Sequence, residues 1–474
     1  MSALGEVPAW LPVFGDFGAG HDFEPLAIEG SLPAELAGVL YRNGAMGMIA
    51  ADGERYEHWF DGDGGLLAVR IEGGEAQGAV RLLESPGLLE ERRRNKRLHL
   101  GYGSTVDRPL LKLLANKMKN VANTNVIRLG DELMALVEAS PPSKVDTETL
   151  KLLGADDLGG VIKGGFSAHP HTVVGNKRLI NTGIEYGMKT TLRLYSVAPN
   201  GQAEVLYKET NPHAPLVHDF GLTERAAVLL LPPLEMKMKE VVQAGGAVSE
   251  GFVWDPKRGT EVLVVSLDEP DRPIRFTVDP FFQWHFGNAY QSGQEVVLDL
   301  VRYRDFQNSA AIGNVITGTP NAGEVHGQLC RMRIDLQKRT HTMEIVGRRT
   351  GEFPQTNPLH WGLEHRFVYL AEHSSADVAQ LGMPDSLCRY DMQTGAESAM
   401  PVGEGVYPGE PLVVPKKAKT REDAVWILTM AYDSVKGRSG LLIHDGESLG
   451  AGPVASAWFS GPRHTTFHGH WQPA

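Results

Sequence analysis

The sequence predicts an all-β fold, and most simply a single β-propeller. Three observations carry that expectation. Short apolar runs recur in pairs across tight turns, while long helical periodicity is scarce. Gly 54 and Pro 29 make the chain turn-rich, well above the usual combined share of about 12%. No low-complexity or Pro/Ser-rich linker divides the 474 residues. Repeating units of roughly 40–60 residues suit four-stranded blades. One domain over 1–474 is therefore expected.

The paired runs follow in chain order. Val126–Leu129, Gly-Asp-Glu and Leu133–Glu138 read as a hairpin. Val173-Val174 and Arg178–Thr182 repeat it, as do Leu192–Val197 before Pro199-Asn-Gly, and Gln328–Ile334 before Lys338-Arg-Thr. Leu387–Tyr390, Ala424–Ala431 and Gly440–His444 continue the pattern. The longest apolar stretch, Ala226–Leu234, holds two prolines and is about half the length of a membrane span.

Charge and cysteine exclude several classes. The net charge of −12 argues against a global nucleic-acid binder. Only Cys330 and Cys388 occur, so no disulfide framework or Cys-rich zinc site is expected. Sparse cysteines and the lack of basic residues before Arg42 predict a cytoplasmic protein.

The charge is uneven. Nine basic residues and only Asp107 as an acid lie between Arg92 and Lys119, a segment of +8 in a body of −20. Leu111, Leu114, Met118 and Val121 are spaced as one helical face. A basic amphipathic cap segment over about 92–121 is expected, with peripheral membrane contact through about 108–121. The competing reading is a helix packed on its own core with a solvated basic face.

Four histidines stand in separated aromatic or apolar contexts. His169 lies in Phe166-Ser-Ala-His-Pro-His171, and His218 in Val217-His-Asp-Phe220. His285 lies in Phe281-Phe-Gln-Trp-His-Phe286, and His468 in Thr465-Thr-Phe-His-Gly-His470. Singly, each reads as an ordinary buried histidine. Together, on inner strands of a propeller, they can converge on one metal despite gaps of 49, 67 and 183 residues. No local motif such as HExxH supports this, so it rests on fold geometry and on resemblance.

At these blocks the chain resembles the carotenoid cleavage oxygenases, a family that includes the retinal pigment epithelium isomerohydrolase and stilbene-cleaving dioxygenases. The resemblance begins at Leu32–Gly44. It continues through His58-Trp-Phe-Asp-Gly-Asp-Gly64 and Ala122-Asn-Thr-Asn-Val126 and ends with the four histidine blocks. It implies a seven-bladed propeller with a helical cap over its top face. It also implies a non-haem Fe(II) held by His169, His218, His285 and His468. His171 and His470 are the neighbouring alternatives. Glu138, Glu352 and Glu410 match the carboxylates that orient the imidazoles, and Thr124 matches a residue near an open iron position.

The implied activity is a dioxygenase that uses O2 to split a conjugated C=C bond of a carotenoid or apocarotenoid into carbonyl products. Tunnel walls are expected at Phe60, Tyr102, Phe166, Phe281, Trp284 and Phe467, where core packing is the competing reading. Stilbene-cleaving relatives usually carry Lys immediately before the first of these glutamates, and here Val137 stands there. A phenolate would lose a charge-assisted hydrogen bond, which favours an apocarotenoid over a hydroxystilbene. The alternatives are a stilbene or phenylpropanoid dioxygenase, an isomerase-like relative, and a non-catalytic propeller that binds hydrophobic ligands.

Overall fold

A computed structural model describes the chain except residues 1–6, 107–117, 187–189, 211–215, 322–325 and 418. Its strands form a seven-bladed β-propeller. Blade one holds His21–Pro25, Gly38–Gly47, Asp63–Glu72 and Glu75–Leu82, closed on its inner edge by Gly469–Pro473. Blade two holds Asn125–Leu129, Glu132–Leu136, Ser143–Val145 and Leu152–Ala155. Blade three runs from His171–Val173 to Ala203–Thr210, and blade four from Gly221–Leu222 to Ile274–Val278. Blade five runs from Phe282–Ser292 to Thr340–Ile345, and blade six from Gly351–Gln355 to Ala396–Met400. Blade seven starts at Val406–Pro408 and takes Ala27–Gly30 as its outer edge, paired to Pro453–Trp458.

Strand periodicity explains why the blades stack. Ala227, Leu229 and Leu231 pack toward blade three, while Ala226, Val228 and Leu230 pack toward blade five. Successive side chains point to opposite faces, so a central strand covered on both sides reads as an unbroken apolar run. The same alternation sends Leu67 and Val69 toward blade seven, and Leu66 and Ala68 toward blade two. Each of the seven seams has its own apolar cluster. Outer strands touch solvent and lose the pattern, as in Thr340–Ile345.

The predicted hairpins over 125–136, 171–185, 191–210, 328–345, 386–400 and 425–445 all form. The apolar stretch Ala226–Leu234 is divided. Its strand ends at Leu231, before Pro232-Pro233, and Leu234–Met236 leaves the blade to pair with Phe252–Trp254. Proline cannot donate to a ladder, so the chain is released there into the cap. Helices Pro86–Arg94, Met238–Gln243, Asn308–Val315 and Ala376–Leu381 all lie in such connections and contribute residues to one cavity wall. The first is fixed by Ser85 Oγ, which accepts from Leu88 N–H, and ends at Asn95 in the left-handed region.

Most of the expected membrane-facing segment of about 108–121, namely 108–117, lies outside the described residues. At its end, Lys119 is no surface cation. Its ammonium lies 2.8 Å from both Asp63 and Glu91 and donates to the Tyr56 hydroxyl at 2.7 Å, with only 6% of the side chain exposed. Two carboxylates in a buried pocket outweigh solvation as its partners. Among the described residues no helix is long and apolar enough to cross a membrane.

One backbone crossing links fold to site. A Cβ on Gly165 would overlap the Glu138 carbonyl, and one on Gly183 would overlap the Gly165 carbonyl. Gly165→Ala is expected to destabilise the protein by about 1–3 kcal/mol through overpacking, read as a lowered midpoint in denaturant unfolding.

Candidate metal centre and its cavity

The four histidines come from inner strands or the turns just before them, in blades three, four, five and one. Their candidate ligand nitrogens all lie within 4.8 Å of one another. The Nε2 atoms of His218 and His285 are 3.2 Å apart. The ring of His169 sits 4.3 Å from that of His218 and 4.5 Å from that of His468. His171 and His470 are not in the cluster: His171 turns to Asp219 at 2.7 Å, and His470 pairs along the strand with Tyr41.

Three carboxylates stand behind three of the rings. Glu138 Oε1 is 2.8 Å from His218 Nδ1, Glu352 Oε2 is 2.6 Å from His285 Nδ1, and Glu410 Oε1 is 2.8 Å from His468 Nδ1. Nδ1 of His285 and of His468 is hydrogen-bonded to a carboxylate and Nδ1 of His218 lies beside one, which leaves the Nε2 atoms toward the axis. This is how an outer carboxylate sets the tautomer of a ligating imidazole.

The electrostatics agree. Burial would raise all three glutamates, but the facing imidazoles, with Arg42 at Glu410 and Tyr303 at Glu352, hold them below the ordinary carboxylate range. Burial and the other three rings hold His169 well below the usual imidazole value, which keeps its lone pair free. Burial opposes charging of His285 as well, but Glu352 outweighs it and raises that ring.

These residues fit a metal ion. The buried His169 Nε2 has no hydrogen-bond partner, and converging lone pairs repel unless a cation lies between them. Imidazole donors suit Zn, Cu, Fe and Ni.

Several supports were not singled out in the sequence. Arg42 is 1% exposed; it donates to Glu410 Oε2 at 2.6 Å, Thr466 Oγ1 at 3.1 Å and the Phe467 carbonyl at 2.7 Å. Tyr303 donates to Glu352 Oε1 at 2.7 Å. Phe353 lies at φ 57°, a conformation costing an L-residue about 1–2 kcal/mol, and its N–H donates to Glu352 Oε2 at 2.8 Å. Arg42 lies inside the Leu32–Gly44 block and Asp219 directly follows His218, so position in a motif was the available signal.

The site opens onto a cavity of about 850 Å³. Phe60, Tyr102, Trp284, Phe467, Thr124 and Val137 line it. Phe60 is the hub of the aromatic wall, with ring centres 5.3 Å from Tyr102, 5.8 Å from Trp284 and 5.6 Å from Phe467. Trp284 also packs edge-on to His218 at 4.8 Å. Asp61 fixes the loop that brings in Tyr102, accepting from the N–H groups of Tyr102, Gly103 and Ser104. Thr124 Oγ1 is 3.4 Å from Glu138 Oε2.

Phe166 and Phe281, expected as tunnel walls, are corrected. Phe166 is 0% exposed in the seam between blades two and three, beside Tyr195. Phe281 is 2% exposed in the seam between blades four and five. Sequence proximity to a ligand did not turn either ring toward the axis.

Four imidazoles converging on the axis of a seven-bladed propeller, under an aromatic cavity, form a candidate metal centre open to an apolar ligand. The family model RPE65, retinal pigment epithelial membrane protein, matches residues 19–473, and the chain belongs to that family within the carotenoid cleavage oxygenases. The chain is 29% identical to the apocarotenoid-15,15'-oxygenase of Synechocystis sp., over 98% of this chain and 96% of that protein. It is 26% identical to resveratrol cleavage oxygenase 1 of Aspergillus fumigatus, over 90% and 87%. A solved structure of cobalt-substituted Synechocystis apocarotenoid oxygenase superposes with a TM-score of 0.87 at 26% identity, covering 98% of both chains. The protein is thus an oxygenase.

The Arg42–Glu410 pair is buried, with side chains 1% and 4% exposed. Arg42→Met is expected to cost about 3–5 kcal/mol by leaving a carboxylate uncompensated. The double variant Arg42→Met with Glu410→Gln should recover part of that loss in thermal unfolding.

Proposed function

We propose that the protein uses Fe(II) and O2 to cleave a conjugated C=C bond of an apocarotenoid into two carbonyl products. The carrying observation is the set of four inward-facing imidazoles, three with carboxylates on Nδ1, opening onto an aromatic cavity. His169, His218, His285 and His468 would hold the iron, which supplies the oxygen chemistry when bound.

The chain's own residues bind and orient. The aromatic wall around Phe60 presents flat apolar faces to a rod-like polyene. Trp284 on His218 places that wall against the ligand set, so a double bond lying along it is held beside the metal position. The surrounding apolar surface excludes water from the cleavage products.

Val137 favours the apocarotenoid reading. It lines the cavity beside Glu138 and offers no cation to a phenolate. The Tyr102 hydroxyl is already engaged with Ser309 Oγ at 2.9 Å. O2 and an apolar conjugated substrate are the partners of this reading. Peripheral membrane contact through about 108–121 belongs to the proposal on its sequence pattern alone, without Lys119, which is buried.

Anaerobic iron reconstitution, followed by aerobic incubation with apocarotenals and with resveratrol-type stilbenes, should give aldehydes from the apocarotenals by mass spectrometry. Aldehydes from stilbenes alone would overturn the substrate class; no iron and no product would overturn the iron-enzyme reading. His218→Ala should abolish iron occupancy. Val137→Lys should increase turnover of hydroxystilbenes relative to apocarotenals, read as a change in the ratio of kcat/KM.

A further inference from the structure

The fourth imidazole is held differently from the other three. Among the described residues no carboxylate is paired with the His169 ring. The inner strands of blades three, four and five belong to separate sheets, so no ladder between them sets their relative height. Something else has to fix the spacing of His169, His218 and His285.

Gln283 Nε2 ties blade five to the Leu230 carbonyl of blade four at 2.8 Å, and two further side chains join the segments that carry the imidazoles. Ser167 Oγ accepts from the His169 N–H at 3.1 Å and donates to the His218 carbonyl at 2.7 Å. Asp219, 3% exposed, reaches further. Its Oδ1 lies 2.7 Å from His171 Nε2 in blade three and accepts the Phe220 N–H of its own blade at 2.7 Å. Its Oδ2 accepts the Phe286 N–H of blade five at 2.8 Å. Each contact falls within two residues of a candidate ligand. One carboxylate therefore touches all three strands that deliver His169, His218 and His285.

We propose that Asp219 is a positioning residue of the metal centre, setting the relative placement of His169, His218 and His285 by bonding their three strands at once. An aspartate suits this task because both oxygens accept and neither donates. Asparagine has nearly the same shape but would turn an N–H group toward either the Phe286 N–H or the donors on the other side. Metal–ligand distances in a well-formed site keep within about 0.2 Å of their usual values, and lost outer-shell contacts typically weaken metal binding about 10–100-fold. His171 gains a role as well: it aligns His169 from two residues away without itself facing the cluster.

The inference rests on the metal reading above, and its test separates the two. Metal-free protein is titrated with Co(II), whose visible d–d bands report ligand geometry without any turnover. Asp219→Asn is expected to keep a folded circular-dichroism spectrum, bind Co(II) at least about 10-fold more weakly, and show displaced d–d bands. Folded Asp219→Asn with wild-type affinity and bands would overturn the inference and leave the metal reading standing. Wild-type protein that binds no Co(II) would overturn both. Should Asp219→Asn not fold, His171→Phe, which removes the blade-three contact of Asp219, replaces it. Weaker Co(II) binding by folded His171→Phe supports the positioning role of Asp219, and an unchanged titration overturns it.

Discussion

Everything at the axis depends on one strand pairing, Gly38–Gly47 against Gly469–Pro473. His468 directly precedes the closing strand, and Arg42 sits on the strand that receives it. Asn43 N–H donates to the His468 carbonyl at 2.9 Å, and Phe467 N–H donates to the Asn43 carbonyl at 2.8 Å. The Asn43 side chain continues inward to the carbonyls of Ala122 and Asn125 at 2.9 and 2.7 Å. Ring closure, the placement of one imidazole and the anchoring of blade two are thus one hydrogen-bond network. Without the closing pair, Glu410 and Arg42 would have no shared pocket.

The same network controls charge. Burying three carboxylates in an apolar ring is costly unless each is paired. Each glutamate meets an imidazole at one of its oxygens. Arg42 is the guanidinium in direct contact with the three, through Glu410. With Asp219 also buried beside these strands, the carboxylates outnumber the one guanidinium, so charge as well as donor geometry favours a cation.

Strand pairing was legible in the sequence because turn residues and apolar runs are local signals. The stacking of blades was legible only as unbroken apolar runs such as Ala226–Leu231, whose alternation between two seams needs three dimensions to see. The four histidines and three glutamates were reached through motif resemblance, and the structure brings them together. Contacts that depend on closure were not legible. Arg42 and Glu410 are separated by 368 positions, and nothing nearby in sequence links them. The aromatic assignments divided for the same reason: Phe60, Tyr102, Trp284 and Phe467 line the cavity, whereas Phe166 and Phe281, each outside a strand, pack into the seams. Lys119 was miscounted as a surface charge because its partners, Asp63 and Glu91, lie well upstream.

The closing strand also dictates an order of events. His169, His218 and His285 occupy consecutive blades and can approach one another before the ring is complete. His468 joins them only when Gly469–Pro473 docks on a strand more than four hundred residues upstream. Such distant contacts form late, because loop-closure entropy is lost before they contribute. An unclosed chain therefore presents three imidazoles at most. Four nitrogens converge only in the finished ring, so a metal held by all four would bind only after closure.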